Sequence, residues 1–184
     1  MNHKTLTFLL AFCLPLTAVR ADLLAPSRTT IQSVNLQTVS GFSAQFWMTE
    51  DEHLFTGLER SSALRQLKQT TQVKRRTPVY MALFFANPGI RVTPILNRRP
   101  HTYSDISFDF YVVNPLGELI TVQRGLNAWR GNPPPPGLTH LARDRSSITF
   151  EAIDAPGEYT VIVVVHDNVR RVDIKLTRRL ELLE

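Results

Sequence analysis

Cysteine, glycine and long apolar runs are all scarce in this chain. One of its 184 residues is cysteine, Cys13. It lies in a segment expected to be removed, so the remainder has no disulfide, thiol nucleophile or thiolate metal site. The eight glycines never fall in the spacing of a phosphate loop or a dinucleotide-binding turn. No Gly-x-Ser-x-Gly turn is present to expose a strained serine. Beyond the N-terminus no apolar run reaches the ~18 residues of a spanning helix. What remains is 43% hydrophobic and 20% charged, which excludes a disordered or collagen-like polymer.

Residues 1–21 read as a secretory signal. Lys4 supplies a positive start and Leu6 to Leu16 an apolar core broken by Pro15. Val19 and Ala21 stand at the −3 and −1 positions before Asp22, as a signal peptidase requires. Phe12 beside Cys13, with the apolar core continuing past it, argues against a lipoprotein site. The mature chain would be 22–184, which is 163 residues (184 less 21). It carries 19 basic residues (21 less Lys4 and Arg20) against 16 acidic ones, a net charge of +3. Export without cysteine suits a bacterial envelope, so a periplasmic or secreted location is expected. A chain of this length buries close to ~70% of its surface and can rely on its core.

The dominant periodicity is two. Ile106, Phe108, Phe110 and Val112 alternate with polar residues and end at Asn114-Pro115-Leu116-Gly117, a turn signal. Val79 to Ala86 is an apolar run closed by Asn87-Pro88-Gly89, and Leu119 to Gln123 pairs back on the Ile106 strand. Ile148 to Phe150, Tyr159 to Val165 and Val172 to Leu176 complete a set of six or seven short strands, which predicts an antiparallel sandwich. Thr30 to Leu36 and Phe42 to Met48 are strand-like and could add an edge strand or wrap the sandwich. Leu54, Phe55, Leu58, Leu64 and Leu67 follow an acidic start at Glu50-Asp51-Glu52, which predicts a short helix or broken turns within Glu50 to Gln69.

Pro156-Gly157-Glu158-Tyr159-Thr160-Val161, followed by an apolar strand, a polar hairpin and a last alternating strand, resembles the end of immunoglobulin-like and fibronectin-type-III-like modules. Phe85 to Pro88, Trp129-Arg130-Gly131 and Pro133 to Gly137 also look like a group of uncharacterised exported bacterial proteins. The resemblance covers about residues 70–182 and implies a fold, not an activity. It implies that Tyr159 forms a corner, its hydroxyl bonding upstream backbone. The Cys…Trp…Cys pattern of antibody domains is missing. The expected class is therefore all-β, an immunoglobulin-like antiparallel sandwich over 70–184, with an N-terminal arm and short helical insert over 22–69.

Candidate chemistry is sparse. His53, His101, His140 and His166 are not paired at metal-ligand spacing. Asp167 adjoins His166, but neighbours in a strand face opposite ways and neither has an evident serine. Asp109 reads as the outward position of an alternating strand. Pro133 to Pro136 form a stiff extended rod, read first as a crossing between sheets and second as a ligand for an aromatic groove. Trp129 before it reads as a lid on the core edge. Ile162 and Val164 fall on the outer face of their strand and call for cover from residues 22–60 or a partner.

Arginine is the one feature with a functional slant. If the chain folds as an immunoglobulin-like sandwich, the loops after the second, fourth and sixth core strands meet at one pole. That pole would carry Arg91, Arg98, Arg99, Arg143, Arg145, Arg170 and Arg171 against Asp144 and Asp167, leaving +5. Such a field attracts anions. The expectation is an exported, non-enzymatic binding or accessory module, with a protein, an acidic glycan or lipopolysaccharide as its envelope partner. No cofactor, metal or nucleic acid is expected. The alternatives are a hydrolase with a loop-borne site, drawing on His101, His140, His166, Asp105 and Asp167, or a structural subunit that recruits a neighbour by strand addition.

Overall fold

The computed structural model describes residues 36–53, 68–96 and 99–184. The described strands are β1 Gln37–Val39, β2 Phe42–Thr49, β3 Gln72–Val73, β4 Val79–Ala86, β5 Arg91–Thr93, β6 His101–Val113, β7 Leu119–Gly131, β8 Thr139–Leu141, β9 Ser146–Ile148, β10 Gly157–Asp167 and β11 Val172–Leu182. They form two sheets. A five-stranded sheet runs β1-β2-β4-β8, with β9 also on β4. A six-stranded sheet runs β3-β11-β10-β6-β5, with β7 also on β6. Every ladder is antiparallel except the short one between β3 and β11. The fold is all-β and sandwich-like. No helix occurs among the described residues.

Alternation builds the core. Phe108 and Phe110 on β6, Val161 and Val163 on β10, and Ile174 and Leu176 on β11 point inward and are buried. They form one cluster with Phe42, Phe46, Leu83 and Phe85 of the opposing sheet. Burying each large side chain contributes about 1.5–3 kcal/mol. β4 is buried continuously from Met81 to Phe85, which is why its sequence does not alternate. Arg178 occupies an inward position of β11 and is 9% exposed. Its Nη2 donates to the Phe46 carbonyl across the sandwich at 2.8 Å. Burial pushes the guanidinium pKa down from its ordinary value.

Several expectations are corrected. β2 neither wraps the sandwich nor forms its edge. It lies between β1 and β4, and its Phe42, Ala44, Phe46 and Met48 belong to the core. The strand expected to stop at Gln123 continues to Gly131, because bulges interrupt its pairing with β6 without ending it. The strand expected at Ile148 to Phe150 is Ser146–Ile148. Phe150 leaves the ladder, packs on Tyr159 at 4.6 Å, and gives its carbonyl to the Arg76 N–H. Ile162 and Val164 are half-buried, with Tyr111 and Thr177 beside Ile162 and Asp109 and Lys175 beside Val164 in the register. The signal segment, and most of the helix expected within Glu50 to Gln69, lie outside the described residues.

Two expectations match. The Tyr159 hydroxyl donates to the Ala155 carbonyl at 2.8 Å. Pro133 to Pro136 connect β7 of one sheet to β8 of the other.

Candidate functional site at the arginine-bearing pole

One end of the sandwich is organised around Asp167, the last residue of β10. Adjacent strand positions face opposite ways, so His166 looks outward and Asp167 inward. Asp167 is 1% exposed. Its carboxylate accepts the backbone N–H groups of Gly89 at 2.6 Å, Arg170 at 2.9 Å and Val169 at 3.1 Å. Ser104 closes the unit by donating its hydroxyl to the Gly89 carbonyl at 2.7 Å. This joins the β4–β5 turn to the β10–β11 turn. A side chain at residue 89 would not fit, since a Cβ there would lie 2.7 Å from Arg170 Cγ and 2.8 Å from Asp167 Oδ1. Arg170 crosses to the β1–β2 turn and donates to the Ser40 carbonyl at 3.0 Å. Arg171 takes a left-handed conformation, φ 58°, and its N–H bonds the Asp167 carbonyl at 2.7 Å.

The second carboxylate at this end is Asp105. Arg130 pairs with it at 3.4 Å and Asn168 Nδ2 donates to it at 3.3 Å. Both acids are therefore taken up by the fold. Arg91, Arg99, Arg170 and Arg171 are exposed. Arg91 lies on β5 opposite Tyr103, and Arg99 lies near the start of β6. Arg98 lies outside the described residues.

Arg143 and Arg145 do not complete this pole as expected. Arg143 lies flat over Trp129, 4.4 Å from the ring centroid, and donates to the Arg130 carbonyl at 3.0 Å. That cation–π contact fixes it on the flank. Arg145 precedes β9, which pairs with Val79–Met81 at the far end of β4. There it lines a shallow cavity of about 210 Å³ with Glu52, Tyr80, Ser146 and Ser147. Of the described arginines in that expectation, Arg91, Arg99, Arg170 and Arg171 remain at this end, and Arg143 and Arg145 do not.

The remaining candidate residues are dispersed. His101 stacks near Tyr103, and His140 lies between Phe85 and Trp129 with Nε2 3.1 Å from the Pro135 carbonyl. His166 is on the outer face of the six-stranded sheet. Its Nδ1 is 2.8 Å from Asp173 and its Nε2 is 3.7 Å from Asp109. Partial burial pushes the Asp109 carboxyl up. The Gly125 N–H, the Tyr111 hydroxyl and His166 outweigh that and hold it below the ordinary carboxylate range. The adjacent Ser107 accepts from Asn168 at 3.2 Å. Sequence reasoning missed His166–Asp173, although the alternation of both strands already placed the two residues outward. It also missed the Asp167 hub. No cluster of three or more metal-ligating side chains occurs among the described residues.

No family model matches the chain, and no curated protein is similar to it in sequence. Solved structures give distant likenesses. An alkylpurine DNA glycosylase from Pseudomonas fluorescens is 14% identical with a TM-score of 0.38, over 62% of this chain and 28% of that one. A Niemann-Pick type C2 protein from the Japanese carpenter ant is 6% identical with a TM-score of 0.42, over 76% of this chain and 89% of that one. A family 123 glycoside hydrolase from Clostridium perfringens is 8% identical with a TM-score of 0.40, over 77% and 27%. The chain spans little more than a quarter of the glycosylase and the hydrolase. Likeness at this level assigns neither a family nor an activity.

Proposed function

We propose that the chain is an exported, non-enzymatic binding module that engages an anionic partner of the cell envelope through this pole. The observation that carries the reading is the fate of Asp167 and Asp105, with the nearby Asp173 set against His166. Asp167 is spent on three backbone N–H groups and Asp105 on Arg130 and Asn168. Arg91, Arg99, Arg170 and Arg171 remain exposed around them. Guanidinium groups in such an arrangement take phosphate, sulfate or carboxylate groups in bidentate fashion. Export rests on the composition of residues 1–21.

The immunoglobulin-like form of the sandwich belongs to the same proposal. It is supported by the Tyr159 bond to the Ala155 carbonyl and by the neighbour order β11-β10-β6, with β4 beside β9.

The test is retention on heparin at low salt. The wild-type chain is retained and elutes as salt screens the contacts. The variant Arg91→Ser/Arg99→Ser/Arg170→Ser/Arg171→Ser passes through, whereas Arg145→Ser is retained like wild type. Unchanged retention of the fourfold variant overturns the reading.

A further inference from the structure

The β5–β6 hairpin at the pole carries more than charge. β6 begins at His101, but its pairing with β7 starts only at Ser104 and with β10 only at Ile106. His101, Thr102 and Tyr103 pair with β5 alone, so this two-stranded ladder reaches past the end of the sheet. On it Ile90 is 53% exposed, Val92 59%, Ile95 43% and Leu96 90%. Four large aliphatic side chains within seven residues are not scattered surface apolarity. Alternation sets Ile90 and Val92 on one side of the strand and Arg91 on the other. Arg99 stands on the return, and Tyr103 sits opposite Arg91.

We infer that this hairpin docks on an anionic lipid bilayer, its aliphatic side chains entering the boundary between headgroups and acyl chains while Arg91 and Arg99 pair with lipid phosphates. The inference rests on the anion-binding reading of the pole and names the partner. Three points favour a bilayer over a soluble polyanion or a protein. An acidic glycan offers no apolar phase for Val92, Ile95 and Leu96. A ladder that extends beyond the sheet offers a protein a narrow convex edge, while the two shallow cavities, one lined by Thr71, Gln72, Glu158, Arg179 and Glu181 and the other by Glu52, Tyr80, Arg145, Ser146 and Ser147, lie on other parts of the surface. Interleaved aliphatic and basic side chains with a tyrosine nearby match the layered polarity of a lipid interface. The buried bonds of Asp167 and Ser104 to Gly89 hold the base of the hairpin to the sandwich.

Co-sedimentation with vesicles of phosphatidylcholine, with and without phosphatidylglycerol, tests this beside the heparin assay. Wild type sediments with the anionic vesicles and not with the neutral ones. Ile95→Asn/Leu96→Asn keeps the same melting temperature and heparin retention, but loses roughly tenfold in vesicle affinity. Arg91→Ser/Arg99→Ser loses roughly thirtyfold, at ~1 kcal/mol per cation near the surface. Heparin retention without sedimentation overturns the lipid inference and leaves the anion-binding reading standing. Undiminished sedimentation of the asparagine variant also overturns it. Loss of both activities in wild type overturns the underlying reading as well.

Discussion

The two ends of β6 each carry a hairpin that exposes aliphatic side chains, and the two hairpins differ in charge. At the β5 end, Ile90, Val92, Ile95 and Leu96 stand among Arg91 and Arg99. At the β7 end, Leu116 is 78% exposed, Leu119 54%, Ile120 44% and Val122 44%, beside Glu118 and Arg124. They are also held differently. The first is tied to the sandwich by a buried carboxylate reaching from another hairpin. The second is tied within itself: Asn114 Oδ1 accepts the N–H groups of Leu116 at 3.0 Å and Glu118 at 2.8 Å, and its Nδ2 donates to the Glu118 carboxylate at 2.8 Å. Exposed apolar area alone therefore does not single out a docking surface on this molecule. Unbalanced positive charge among the described residues and an anchor reaching from another hairpin distinguish one hairpin from the other.

The comparison breaks most severely at the buried carboxylate. Asp167→Ala strands three backbone N–H groups and should cost about 3–5 kcal/mol in urea unfolding. Gly89→Ala should approach that loss, since the new methyl meets Asp167 and Arg170. Asn114→Ala, at the exposed turn, should cost about 1–2 kcal/mol. A loss at Asn114 equal to that at Asp167 would remove the distinction between the two anchors. Glu118→Lys removes the exposed bond from Asn114 Nδ2 and should cost about 0.5–1.5 kcal/mol. It should raise affinity for phosphatidylglycerol vesicles by up to roughly tenfold, because it gives the second hairpin the charge it lacks. The smallest effect belongs to Asp109, midway along β6. Its carboxyl is held below its ordinary pKa in the folded state. Its contribution to stability is therefore present at neutral pH and lost as pH falls below about 4. Asp109→Asn should flatten the acid limb of a melting-temperature series, and an unchanged limb would remove that role.

The strand framework was legible because alternation survives wherever one face of a strand is buried. β6, β10 and β11 are the clear cases, and Tyr159 took the position its motif implied. β7 was legible only to Gln123. Gly125, at φ 66°, and the bulges around it break the period that sequence reasoning follows. The pole was legible as a cluster of arginines but not in its membership. Which loops meet depended on β9 pairing with the far end of β4, and that register leaves no local mark near Arg145. The Asp167 hub could not be read at all. Gly89 and Asp167 are 78 residues apart, and nothing in either neighbourhood announces the other. His166 was read with its neighbour Asp167, when its partner is Asp173 across the hairpin.

The most direct measurement compares the two hairpin tips on one molecule. With Cys13→Ser as background, the chain has no other thiol, so Leu96→Cys and Leu116→Cys each accept a single environment-sensitive fluorophore. On addition of phosphatidylglycerol vesicles, the label at 96 should shift to the blue and the label at 116 should not. An unshifted label at 96, or equal shifts at both sites, would contradict the account.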